Sequence, residues 1–189
     1  MSETFSQSTP TAQHRKLPAW VIALAFLILT AFLAMLAFGL RRSMMGPITI
    51  GQSVPAFSIT TYDGKTLHTS DYAGKVIVLN FWSSWCKPCE QEAADLERAW
   101  RKYQTGGDVV FLGLAYVDTE PNSLEYLRKF GITYPNGPDL ATKVSQMFRI
   151  RGVPETYIIG KDGKLAYMKI GPFSSINEIY NAVDMVVRK

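Results

Sequence analysis

Two cysteines, Cys86 and Cys89, are the only ones in the chain, and they stand three residues apart. Thiols at that spacing have three uses. They could supply half of a zinc site, but a structural zinc wants four ligands, and the only histidines are His14 and His68. They could form a structural disulfide, but so short a loop removes little entropy from the unfolded chain. They could also be a dithiol/disulfide pair that exchanges electrons with other thiols, and the surrounding sequence favours this use. Pro88 sits between the cysteines, and proline suits the first turn of a helix, where its missing N–H would have no partner. The N–H groups and dipole of such a helix start favour a thiolate over a thiol, which makes Cys86 the nucleophile. Lys87 would add to that effect by charge, unless it points into water.

The elements that must position this pair are legible on both sides of it. Val76–Trp82, reading VIVLNFW, is apolar and β-branched enough to be a buried strand, and a Ser83-Ser84 turn separates it from the cysteines. An amphipathic helix follows. At helical spacing Cys89, Ala93, Leu96, Ala99, Trp100 and Tyr103 share one arc, while Glu90, Gln91, Arg98, Arg101 and Lys102 face away. Glu92 falls inside the apolar arc, one turn after Cys89. A carboxylate there loses water, which raises its pKa toward the range where it exchanges protons; the alternative is that it snorkels out or pairs with a lysine.

FWSSWCKPC resembles the WCxxC active site of the thioredoxin superfamily. More closely, the chain is similar to the membrane-tethered thioredoxin-like proteins of cytochrome c maturation, the CcmG/ResA/TlpA group. The signals are the WCKPC centre with Trp85, Glu92 three residues beyond it, GVPET at Gly152–Thr156, and an apolar segment near the N-terminus. The resemblance spans about residues 50–188. It implies a thioredoxin-like α/β fold, with a mixed central sheet, helices on both faces, an N-terminal β-hairpin and a β/α insert. It also implies that Pro154 is a cis-proline facing the dithiol, with the backbone of Val153 offered to an incoming peptide. Asn80 stands where thioredoxin has a buried aspartate, so Glu92 is the implied proton carrier. Glu155, in the PET signature, either helps read a partner or is a solvated strand residue. No cofactor is implied beyond the Cys86/Cys89 disulfide itself, and no metal. The implied activity is reduction of the disulfide in apocytochrome c, or in a maturation partner, with a membrane-embedded thiol donor recycling the protein.

The rest of the chain fits a single domain on an anchor. Of 189 residues, 47% are hydrophobic and 19% charged, which is ordinary globular composition plus one membrane segment. Ala19–Leu40 carries no charge, and its 22 residues would reach about 33 Å as a helix, enough to cross a bilayer core. Trp20 suits an interfacial position. Ala37-Phe38-Gly39 loosely resembles a signal-peptide cleavage site, but the run is longer than the usual 7–15 apolar residues, which favours an uncleaved anchor. The expected division is a disordered cytoplasmic tail over 1–18, a transmembrane anchor over 19–40, a linker over 41–49 and a redox domain over 50–189. Arg15 and Lys16 before the anchor nearly balance Arg41 and Arg42 after it. The family resemblance implies an N-terminus inside and a domain in the periplasmic or equivalent outer space. The formal charge of +4 comes from these flanks; beyond residue 46 there are 16 basic against 15 acidic residues, and nucleic-acid binding has no basic stripe to rest on.

Within the domain, Ala56–Thr61 and Lys65–His68 around Tyr62-Asp63-Gly64 predict a hairpin. Ser70 predicts the cap of a short helical turn, and His68 a solvated or capping side chain. Val109–Val117 predicts the next strand, Ser123–Phe130 and Leu140–Phe148 two helices with a turn at Tyr134–Gly137 between them. Tyr157–Ile159 and Leu165–Ile170 predict a second hairpin, and Ser174 or Ser175 caps a last helix to about Val187. Alternating strands and helices imply a parallel core. Other functions fit less well. They are a general reductant of clients such as copper-site cysteines, an oxidase of folding proteins, a peroxiredoxin and a copper-binding chaperone. Ser83 and Cys86 have peroxiredoxin spacing, but Leu79 replaces the proline that motif wants. The chaperones use a CxxxC pair with a downstream histidine, and no histidine follows Cys86.

Overall fold

A computed structural model of the chain describes residues 18–43 and 47–188. It falls into two units, Met1–Gly46 and Pro47–Lys189, each treated by itself. In the first, α1 (Ala19–Ser43) is a 25-residue helix. Its stretch Ala19–Gly39, of mean hydropathy 2.8, is long and apolar enough to cross a membrane. The helix runs on through 41–43, which the sequence assigned to the linker. The expected tail lies outside the described residues except for Pro18.

The second unit is built on a five-stranded sheet in the order β5-β4-β3-β6-β7, with β3 (Val76–Trp82) at its centre. All seven residues of β3 are buried, as are those of β4 (Val109–Ala115). β4 pairs parallel to β3 on one side, and β6 (Glu155–Ile159) pairs antiparallel on the other. β7 (Leu165–Ile170) completes the antiparallel edge. Residues burying both faces must be apolar on both, which is why these strands read as continuous hydrophobic runs. One face, with Val76, Val78, Phe111 and Ile158, packs under α2 (Lys87–Tyr103) and α5 (Ile176–Val187). The other, with Ile77, Leu79, Phe81, Leu112 and Tyr157, packs against α4 (Lys143–Phe148) and the hairpin of β1 (Ser58–Thr60) and β2 (Thr66–His68). The chain enters the domain by zippering Gly51–Val54 onto Gly163–Leu165, at the end of the sheet where β3 begins.

Several expected boundaries move. The strand predicted to reach Val117 stops at Ala115, because Val117 turns to a positive φ of 45°. The helix expected from Ser123 begins three residues earlier, as α3 (Glu120–Phe130). The helix expected from Leu140 is broken by Ala141 and Thr142, both at φ 53°, and regular α4 starts at Lys143. There the Asp139 carboxylate accepts from the N–H groups of Val144 and Ser145 at 2.9 and 2.8 Å. Ser70 lies inside its short helical turn, and His68 precedes it, with the Asp71 carboxylate accepting from the His68 N–H at 3.3 Å.

The largest departure is β5 (Asn136–Pro138), a parallel edge strand where proline, asparagine and glycine predicted only a turn. Tertiary fit overrides propensity here. The Asn136 side chain fills the space over Gly113, where an added Cβ would stand 1.8 Å from its Oδ1. A Cβ on Gly137 would likewise meet the Thr60 carbonyl oxygen at 2.2 Å. Asn136 Oδ1 accepts from the Trp82 indole at 2.8 Å, so the edge strand is locked to the end of β3.

Candidate active site

β3 ends at Trp82, whose ring stacks on Tyr126 of α3 with centroids 4.4 Å apart, forming the floor beneath the cysteines. The turn that follows is tied down at both serines. Ser83 Oγ donates to the Tyr116 carbonyl, and Ser84 donates from N–H and Oγ to the Asp118 carboxylate at 2.7 and 2.8 Å. Asp118 was not among the expected site residues; an acid just past a buried strand is too common a pattern to single out.

Cys86 is the N-cap of α2, with Pro88 in the first turn, as the spacing predicted. The two cysteines are joined as a disulfide. The Cys89 N–H points at Cys86 Sγ from 3.2 Å, and after reduction the same donor would steady a Cys86 thiolate. Cys86 is only 4% exposed. Its opening is flanked by Trp85, which is 59% exposed and whose indole donates to the Val117 carbonyl at 3.0 Å. Across from it, the Val153–Pro154 peptide is cis, and the Val153 carbonyl oxygen lies 3.4 Å from Cys86 Sγ. A disulfide sulfur has no proton to donate, so this is a close approach of backbone to the pair. Lys87 takes the solvent option: its ammonium sits 3.3 Å from the half-buried Glu90 carboxylate, which also meets Lys129 at 3.2 Å.

Behind Cys89, Glu92 is 1% exposed. Its Oε1 accepts from the Asn80 amide at 3.1 Å, and its Oε2 accepts from the Phe173 backbone N–H at 2.7 Å. Burial pushes the Glu92 carboxyl up to about 7, against the opposing pull of these two donors. Asn80 also donates to Thr156 Oγ1 at 3.0 Å, so a neutral amide holds the position beneath the site. The Phe173 donor is a backbone group 81 residues from Glu92, and no side-chain pattern could have announced it.

Glu155 corrects the solvated-strand reading: it is 1% exposed. Its carboxylate accepts from the N–H groups of Arg151 and Gly152 at 2.7 and 3.2 Å and from the Tyr157 hydroxyl. A buried carboxylate satisfied by two backbone donors organises the loop that carries Val153 and Pro154 to the disulfide.

Residues 50–168 match the AhpC/TSA family. The chain belongs to that family. Among its curated relatives, the thiol-disulfide oxidoreductase ResA of Bacillus cereus is 33% identical over 122 residues, covering 65% of this chain and 70% of that one. The thiol:disulfide interchange protein DsbE of Allochromatium vinosum is 30% identical over 156 residues, 78% of this chain and 82% of that one. Of the solved structures, a thioredoxin-family thiol:disulfide interchange protein of Chlorobium tepidum superposes with a TM-score of 0.63 at 25% identity, over 75% of this chain and 99% of that one. The protein is therefore a thiol-disulfide oxidoreductase of the ResA/DsbE type with a thioredoxin-like fold. Within this AhpC/TSA chain, the Ser83 hydroxyl that gave peroxiredoxin spacing to Cys86 is committed to the Tyr116 carbonyl.

Proposed function

We propose that this oxidoreductase is an extracytoplasmic reductant whose client is the disulfide of apocytochrome c or of a maturation partner, with Cys86 and Cys89 as the redox pair. Cys86, as thiolate, attacks one client sulfur and expels the other as a thiolate, leaving a mixed disulfide. Cys89 gives its proton to Glu92, attacks Cys86 Sγ and releases the client's second thiolate. Two electrons pass to the client, and the Cys86–Cys89 disulfide remains. A membrane-embedded dithiol donor returns the electrons. Residues 19–40 anchor the protein with its N-terminus in the cytoplasm, and the redox domain works on the outer side.

The observation that carries this reading is the placement of Glu92. A buried carboxyl titrating near neutrality, one helical turn from Cys89, can take the resolving thiol's proton. Its negative charge also disfavours thiolates nearby. Oxidants of this fold owe their strength to a stabilised reduced form, so an acid behind the dithiol supports the opposite, reducing direction. The WCKPC and GVPET segments, together with the apolar helix, support the cytochrome c maturation client.

The test is Cys89→Ala in the full-length protein in cells. The expected result is a reductant-sensitive adduct through Cys86 whose partner is an apocytochrome c or a maturation factor. Capture of copper-site proteins instead would reassign the client, and no adduct above a Cys86→Ser/Cys89→Ala control would refute the exchange mechanism.

A further inference from the structure

The residues behind Glu92 form a polar row across the sheet and an adjoining turn that the exchange chemistry does not use directly. In the register of the sheet, Asn80 of β3 stands opposite Thr156 of β6, and Thr156 stands opposite Lys169 of β7. Directly paired residues of antiparallel strands point to the same side. The three therefore make one transverse row on the face covered by α2 and α5. Glu92 closes one end of the row through Asn80. At the other end Lys169 is bonded to Glu178 of α5. The second oxygen of Glu178 accepts from both N–H and Oγ of Ser174, each at 2.7 Å. Ser174 directly follows Phe173, whose N–H is on Glu92. The Lys169 ammonium also lies 5.8 Å from the Phe173 ring centroid.

We propose that the Lys169–Glu178 ion pair is a charge device for Glu92: held in register behind Asn80 and Thr156 and beside the turn that carries the Phe173 amide, it sets two opposite charges behind that carboxylate. The inference rests on the reading of Glu92 as the proton carrier. The pair itself is charged throughout the neutral range. The bond to Lys169 and the Ser174 donors hold Glu178 down to about 2, and Glu178 raises Lys169. The cation acts on Glu92 to favour its ionised form and the anion to disfavour it. Around Glu92 the remaining groups are Cys89 on its own helix, the neutral Asn80 and Thr156, and the phenols of Tyr126 and Tyr134. Burial pushes both phenols well up, so they stay neutral near pH 7.

A charge device and a merely structural brace part company in the sign of their effects. In the detergent-solubilised, oxidised full chain, the Glu92 carboxyl is titrated by carbon-13 NMR, its resonance identified by its loss in Glu92→Gln. Lys169→Met leaves the anion behind, and the Glu92 midpoint is expected to rise by roughly half a pH unit; Glu178→Gln leaves the cation, and the midpoint is expected to fall by about as much. Lys169→Arg should restore the original midpoint. If the pair only braces the turn, both variants loosen the same amide and move the midpoint the same way; that result, or no movement in either, overturns the proposal. The proton-carrier role has its own readout in the same set. Glu92→Gln that reduces client disulfides with the parent rate and pH profile would overturn that role, while the NMR titration still decides whether the pair tunes the carboxyl.

Discussion

Glu92 and Glu97 lie five residues apart on α2, and both turn inward. Their partners differ. Glu97 accepts from the Thr133 N–H and hydroxyl at 2.8 and 2.6 Å and from the Arg101 guanidinium at 2.7 Å, so a cation bonds its carboxylate directly. Glu92 has two neutral donors, and Lys169, a cation that acts on it without bonding to it, is bonded to another acid. Burial alone does not make a proton carrier. The donors separate their roles: a cation and Thr133 make Glu97 a staple for a distant segment, while burial with only neutral donors leaves Glu92 raised toward neutrality.

The largest expected effect on this contrast is kinetic. Glu92→Gln should slow disulfide reduction by about 100-fold, the usual scale of a lost acid–base group, whereas Glu97→Gln should stay within about twofold. Steady-state turnover of both variants measures it. Next comes stability against pH. The Glu92 carboxyl binds its proton near 7 in the fold and near 4.5 when unfolded, so the folded protein holds the extra proton between those values. Stability of the oxidised protein should therefore fall as pH rises through that window, by roughly 3 kcal/mol in total, and Glu92→Gln should flatten the fall. Denaturant titrations at pH 4 and 8 would register it.

Removing the staple is smaller and of another kind. Glu97→Ala should cost about 2 kcal/mol, because the Thr133 N–H and hydroxyl lose their shared acceptor, and it should leave the redox pH profile in place. Smallest is Arg101→Ala. With that side chain 60% exposed, solvent screens most of the pair, and a loss of about 0.5 kcal/mol is expected in the same titrations.

The same contrast shows what could be read from the chain. Glu92 was legible as a candidate because it falls inside an apolar helical arc, where burial is one of two outcomes for a carboxylate. Glu97 sits at the arc's edge, and it is buried only because residues 132–134 return from 36 positions away to place Thr133 on it. The strand before the cysteines, the helix start at Cys86 and both hairpins were legible because each is set by local pattern. Asn136–Pro138 was not, because it is a strand by virtue of two close approaches, the Asn136 side chain over Gly113 and the Thr60 carbonyl against Gly137. Glu155 failed for a related reason: its partners are backbone N–H groups of a loop, and no residue type encodes those.

Thiol exchange at this helix start depends on two unequal sulfurs. Reduced protein alkylated with iodoacetamide from pH 5 to pH 9, with each site quantified by mass spectrometry, measures that inequality directly. Cys86 should react first, with a midpoint below the ~8.5 of an ordinary thiol, while Cys89 lags throughout. Equal rates at both sites, with a shared midpoint near ~8.5, would contradict it.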